Sequence, residues 1–311
     1  MAGKWSPGEL IRMKKRCNII LFLLLPSIVQ VAAQDLDSML LTMESPAGPS
    51  YTLSTFKSTR VVLGQSVEAP VNGDLTLIIS HRFGDIRGGW YDFFGLDQAY
   101  NRLGLEYGIG NIAGISFGRN SYEKTYDGAV KVRLLRQQSG IKSIPVSLTW
   151  YSGIFVNTLN WSDPDRDNLF SSRLSYVNQL LIARKFSKRL SLQFSPSHIH
   201  RNLVELEIDQ NDVFALGFSG KYNFARKVSL NAEYFWLLPG QTANDYNNNF
   251  SLGFDFETGG HVFQLHISNS QGIIEKDFIA QTTGRWLDGD LFLGFNIYRV
   301  FPLGEKRKNI N

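Results

Sequence analysis

Residues 228–268 read VSLNAEYFWLLPGQTANDYNNNFSLGFDFETGGHVFQLHIS. At the start, Val228, Leu230, Ala232, Tyr234 and Trp236 alternate with a set that begins Ser229, Asn231 and Glu233. Beyond a polar stretch, Phe250, Leu252, Phe254 and Phe256 alternate with Ser251, Gly253, Asp255 and Glu257. Past Thr258-Gly259-Gly260, Phe263, Leu265 and Ile267 oppose Gln264, His266 and Ser268. A period of two places successive side chains on opposite faces of a strand. Each of these strands therefore has one face in an apolar medium and the other in a polar one.

The same reading extends outward. In 290–301, Leu291, Leu293, Phe295, Ile297 and Phe301 oppose Gly294 and Asn296, with Phe292 and Tyr298 as exceptions. Similar segments occupy 75–83, 101–109, 113–120, 129–137, 146–159, 170–185, 190–200 and 213–224. Most are near the ~9–11 residues that cross a bilayer as a tilted strand. Short connections such as Gly110–Ile112, Ser187–Arg189 and Thr258–Gly260 alternate with long polar ones such as WSDPDRDN and GQTANDYNNN. This asymmetry predicts an all-β fold, a closed antiparallel transmembrane barrel of about twelve strands (range ~10–14), with short periplasmic turns and long extracellular loops. A soluble sandwich would hide its apolar faces against a second sheet. Strand length, outer faces thick with Phe, Tyr and Trp, and the alternating loops favour the barrel.

The chain of 311 residues is 13% aromatic and 19% charged, which excludes a disordered chain, and its single cysteine excludes a disulfide scaffold. The net charge of +4 is all in residues 1–33, where Lys4, Arg12, Lys14, Lys15 and Arg16 outweigh Glu9. The remaining 27 basic and 27 acidic residues balance, so no basic surface marks a nucleic-acid partner. Basic residues 12–16, the apolar run from Ile19 to Ile28 and the small residues before Gln34 form the pattern of a secretory signal, with cleavage expected between Ala33 and Gln34. Residues 34–50 are expected to form a periplasmic amphipathic helix and linker, 51–301 the barrel, and 302–311 a polar tail. The segment 50–68 is strand-like too. It is expected either to form a hairpin that raises the count to fourteen, or to be short and lie outside the closed ladder.

Several phrases, among them STFKSTRVVLGQSVE (54–68), FSSRLSYVNQLLIARKF (170–186), LNAEYFWLLPGQ (230–241), ETGGHVFQLHISNS (257–270) and WLDGDLFLGFNIYRVF (286–301), resemble a β-barrel family of Bacteroidetes-type bacteria named as a domain of unknown function. The resemblance covers nearly all of 50–301 and implies an outer-membrane barrel. It brings no substrate, cofactor or catalytic residues.

His198 and His200 share a strand face and could begin a metal site, but no acidic partner or third histidine is spaced locally, and Pro196 interrupts the strand. A barrel hydrolase would need a nucleophile, a histidine and an orienting acid. His266 is read as lumen-facing with Asp255 and Glu257 on the neighbouring strand, but no G-x-S-x-G elbow occurs. No catalytic, metal or cofactor site is assigned, and the chain is read as a non-enzyme. The lumen-facing charges are assigned as Arg82, Arg102, Lys131, Arg133, Arg173 and Lys221 against Glu106, Glu233, Asp255 and Glu257. They fit either a path for a small polar solute with weak anion bias or a filled, salt-bridged interior. Outer-membrane lipid is the expected partner, and the oligomeric state is left open. Leu265 is expected to meet lipid and Gln264 the lumen, so that arginine at 264 is the milder change.

Overall fold

The computed structural model describes residues 49–303, apart from 141, 205, 241 and 243–245. The leader with its Ala33–Gln34 cleavage site, almost all of the 34–50 helix and linker, and tail residues 304–311 lie outside the described residues. Twelve strands form the wall. They are β1 (Asp74–Asp85), β2 (Ala99–Ile109), β3 (Ala113–Asn120), β4 (Tyr126–Leu135), β5 (Ser147–Val156) and β6 (Leu174–Lys185), followed by β7 (Leu190–Arg201), β8 (Asp212–Ala225), β9 (Val228–Leu237), β10 (Asn249–Thr258), β11 (His261–Ser268) and β12 (Phe292–Pro302). Each pairs antiparallel with its neighbours in chain order, and β12 pairs with β1 to close the barrel. Closure leaves no free edge.

Side-chain alternation builds this wall directly. On β7, Ser191, Gln193, Ser195 and Ser197 point inward and are buried, while Leu190, Leu192, Phe194 and Pro196 point outward. Leu103, Phe117 and Phe218 are about half exposed on the outer face, as an apolar medium requires. Phe292 and Tyr298, which break the pattern of β12, are buried inside.

The interior differs from the uniformly polar lumen that alternation alone implies. Tyr151, Phe155, Val177, Leu181, Ile199, Val213 and Phe235 also point inward, so the wall from β5 to β9 is apolar on both faces over part of its height. The inner apolar surface is covered by two pieces of the same chain. One is a hairpin within 54–71, in which Arg60 and Gln65 bridge antiparallel, Val61 N–H donates to the Gly64 carbonyl and Ser66 N–H to the Thr59 carbonyl. The other is a helix, α1 (Glu275–Ala280), carried by the connection between β11 and β12, with all six residues buried. Segment 50–68 adds no thirteenth or fourteenth wall strand and lies outside the closed ladder, as the second expectation had it. It is a hairpin enclosed by the wall. Only Ser50–Tyr51 pair elsewhere, with Gln138–Ser139.

The hairpin joins the wall at the short-turn end. Asn72 bridges Gly108 in parallel, and Gly73 N–H donates to the Gly108 carbonyl. A Cβ at Gly108 would lie 1.9 Å from the Val71 carbonyl oxygen, so only glycine lets the chain pass there.

Candidate functional site in the lumen

The hairpin tip, Val61–Gly64, meets the wall through its backbone. The Glu233 carboxylate on β9 accepts N–H groups from Val62 (3.2 Å), Leu63 (2.8 Å) and Gly64 (3.1 Å). Opposite contacts take the tip's carbonyls. Gln264 Nε2 donates to Val61 O at 2.7 Å, and Asn296 Nδ2 to Val62 O at 3.1 Å. Lower down, Lys131 Nζ donates to the carbonyls of Thr59, Ser66 and Glu68. Gln193 accepts from Val67 N–H and donates to Gln65 O, while Thr149 Oγ1 donates to Val67 O. Buried peptide groups that cannot reach water must find such partners. The wall supplies them from strands around the barrel.

Apolar packing completes the filling. Val61, Val62 and Leu63 of the hairpin join Ile274, Phe278 and Ile279 around α1 in one cluster with the apolar inner wall. The Phe235 and Phe278 rings meet edge-on at 5.3 Å. Charge links the two inserted pieces, since Arg60 Nη1 lies 2.8 Å from Glu275 Oε1, both fully enclosed. Gln65 Nε2 donates to the same oxygen at 2.7 Å. In α1, Lys276 sits 2.6 Å from both Asp277 and Glu123. Burial works to lower the Lys276 ammonium pKa, but Asp277 and Glu123 hold it above its ordinary value. Burial pushes the Asp277 carboxyl up to about 7, against the pull of Lys276.

Of the ten charges assigned to the lumen from the sequence, Arg82, Arg102, Glu106, Lys131, Lys221, Glu233 and Asp255 are buried inside. The other three lie at the rims. Arg173 belongs to a 3-10 turn before β6 rather than to a strand. Its guanidinium stacks 3.9 Å from the Trp161 ring and donates to the Asn157 and Leu159 carbonyls. Arg133 bonds Asn111 O and Ala69 O at the short-turn end. Glu257 is half exposed there, 3.4 Å from Lys57.

Asp255 accepts from Ser229 and Gln264, and Glu257 is at the rim, so neither reaches His266, whose ring nitrogens have no hydrogen-bond partner. The acid that a hydrolase would need beside this histidine is therefore not placed there. Asp127, unassigned from the sequence, forms a bidentate pair with Arg102 (Nε–Oδ1 2.9 Å). Alternation along 126–135 carried that signal, since Asp127 shares a face with Lys131. Pro196 does not change the facing of β7. His198 and His200 point outward, and the acid missing locally comes from the next strand, where Asp212 Oδ1 lies 2.8 Å from a nitrogen of each.

Twelve closed strands with an apolar and aromatic outer face and a filled interior define a membrane β-barrel. The chain belongs to the family described as membrane bound beta barrel domain (DUF5777), which matches residues 56–301. That match begins inside the lumenal hairpin, ahead of the first wall strand. Among solved structures, the chain is similar to the KdgM porin (10% identity, TM-score 0.45, covering 73% of this chain and 99% of that one). It is also similar to the NanC porin (9%, TM-score 0.44, 73% and 98%) and to an outer membrane channel from Pseudomonas putida F1 (14%, TM-score 0.45, 75% and 97%). Among curated proteins, none matches the chain.

Proposed function

We propose that this chain is an outer-membrane barrel, exported by its N-terminal signal, whose passage for small polar solutes is shut by its own N-terminal hairpin. The observation that carries this reading is that the wall closes without the hairpin. The β12–β1 ladder completes the sheet, so withdrawal of residues 54–71 exposes no strand edge. The hairpin's polar bonds run largely from wall side chains to its backbone, and water can replace them one by one. With the hairpin and α1 withdrawn, Arg82, Arg102, Lys131 and Lys221 face Glu106, Asp127, Glu233 and Asp255. This balance suits uncharged polar solutes better than either sign of ion.

A second reading, a structural barrel with a permanent filling, is favoured by the apolar cluster that the hairpin shares with α1.

A reversible lock separates the two. A Cβ built on Gly253 lies 3.3 Å from Val62 Cγ2, so Val62→Cys with Gly253→Cys brings two sulfurs within disulfide reach. In planar bilayers, with Cys17→Ser as background, the reduced protein is expected to show openings and the oxidised protein none. Currents that ignore the lock would show that the hairpin does not shut the passage, and no current in either state would favour the permanent filling.

A further inference from the structure

Arg82 on β1 is enclosed in the barrel at 1% exposure, and none of its three guanidinium nitrogens has a hydrogen-bond partner. Arg60 and Arg102 are buried too, but each reaches a carboxylate. The carboxylate that acts on Arg82 through space is Glu233, whose oxygens already accept the three N–H groups of the hairpin tip. A guanidinium stays protonated in proteins, so Arg82 cannot shed its charge as a buried lysine or carboxyl group can. A buried ion without compensation is strongly destabilising, and folded chains pair such groups.

A second group without a partner is brought to the same place. Gly294 of β12 lies opposite Arg82 of β1 on one side and opposite His266 of β11 on the other. Neighbouring strands are ~4.8 Å apart, so a side chain on the strand between would normally separate β1 from β11. Gly294 has none, and His266 leans into the space. Its Nε2 occupies the position that a Cβ on Gly294 would need. Both ring nitrogens of His266 lack partners, and the residue is 5% exposed. The ladder also bulges here: Phe292 faces Asp85 while Gly294 faces Arg82, so β1 carries an extra residue just beyond Arg82. Bulges re-aim side chains and recur beside functional sites. A charged fork and an imidazole thus meet across one glycine, inside the lumen.

We propose that a small monovalent anion is bound here, held by the Arg82 guanidinium and by an N–H of the His266 ring. It supplies the negative charge that the fold gives to Arg60 and Arg102 but not to Arg82. Charge-assisted bonds from the guanidinium are the stronger part of the hold. Tyr100, opposite Arg82 on β2, adds no charge of its own. Enclosure of both donors favours an ion the size of a halide or formate, resident in the filled barrel rather than in transit through it.

The parent protein is refolded into lipid vesicles in sodium bromide, formate or gluconate at one ionic strength, which holds general screening constant. Gluconate is too large for the enclosure and serves as the blank. Resistance to denaturant is expected to rise with bromide or formate and to saturate, and the two arms tell a halide from a carboxylate. Arg82→Met removes the charge, and His266→Phe keeps a ring but loses the N–H donor. Each should raise the half-saturating anion concentration at least about tenfold, the equivalent of one charge-assisted bond. Should either variant fail to assemble, crystals of the parent protein grown in bromide locate the ion by anomalous scattering, with a peak expected between Arg82 and His266.

Equal resistance in all three salts would overturn the proposal. So would saturation by anions that persists unchanged in both variants. Bromide found only elsewhere on the protein would mark an adventitious ion only, and would overturn it as well.

Discussion

The Leu63 N–H donates to the Glu233 carboxylate at 2.8 Å across 170 positions of sequence. With Val62 and Gly64 adding their own N–H groups, one buried side chain anchors the whole tip of the hairpin. Such charge-assisted bonds contribute ~1.5–3 kcal/mol. Glu233→Gln leaves one acceptor oxygen for three donors and turns an N–H₂ toward them. Stability to denaturant in lipid vesicles should fall by about that amount. Hydrogen exchange at Val62–Gly64 should speed up, and exchange at the parent rate would contradict the anchoring role.

Arg60 and Glu275 form an enclosed ion pair between hairpin and helix. Removing one partner of such a pair strands the other charge at a cost of about 3–5 kcal/mol, whereas removing both is far milder. Arg60→Met and Glu275→Gln should therefore each destabilise strongly. The double variant should recover much of that loss, giving a large coupling energy in a double-mutant cycle. Additive losses would mean that the pair does not hold the two pieces together.

Gly64 is fixed by space. A Cβ there would meet the Phe235 ring at 2.8 Å and Glu233 Oε2 at 3.2 Å. Gly64→Ala is expected to cost about 1–3 kcal/mol by overpacking. Phe235→Leu, introduced in the same chain, should relieve part of it. Failure of the leucine to rescue would point to the carboxylate as the obstructing group.

Asp277 gives the docked α1 a pH dependence. Its carboxyl ionises at about 7 when docked, above the ordinary value, because burial opposes the charge. Above 7 the docked state carries the full cost of a buried carboxylate. As pH falls through 7, that state takes up its proton first and docking strengthens. Lys276, held above its ordinary value, stays protonated in both states across this range. Hydrogen exchange within 275–280, corrected for intrinsic rates, should be slower at pH 6 than at pH 8. Asp277→Asn should abolish the difference.

Leu265 and Gln264 test the two faces of β11. Leu265 is about half exposed outside, where an arginine near the bilayer midplane costs ~2–4 kcal/mol. Gln264 was expected to tolerate arginine, but its amide bonds Val61 O and Asp255. Both substitutions should now be harmful, by different routes. Leu265→Arg should impair assembly into vesicles. Gln264→Arg should assemble and make the hairpin accessible to protease. Matching phenotypes would show that the two faces are not distinct.

The wall was legible in the sequence because its signal is local. Alternation needs only neighbouring residues, and the strand read at 261–268 is the strand observed. Parity also required an even count, since β1 and β12 must run antiparallel to close, and twelve is the even number observed. Arg82, Lys131 and Glu233 could be assigned to the interior by the same rule. What they touch could not, because the hairpin is held through peptide N–H and C=O groups that every residue type carries, and no side-chain pattern marks them. Only the enclosed hairpin and helix bring residue 63 to residue 233 and Arg60 to Glu275, and only the register of the β7–β8 pair brings Asp212 to the outward histidines. Phe235 and Leu181 were equally silent: an apolar residue on the inner face has meaning only once the hairpin and α1 are there to cover it. The sequence by itself determined an antiparallel membrane wall of even strand count near twelve and the facing of most of its residues, since strand periodicity is a property of the local backbone. The tertiary structure alone decided that the lumen is full, since filling depends on contacts between segments that lie far apart in the chain.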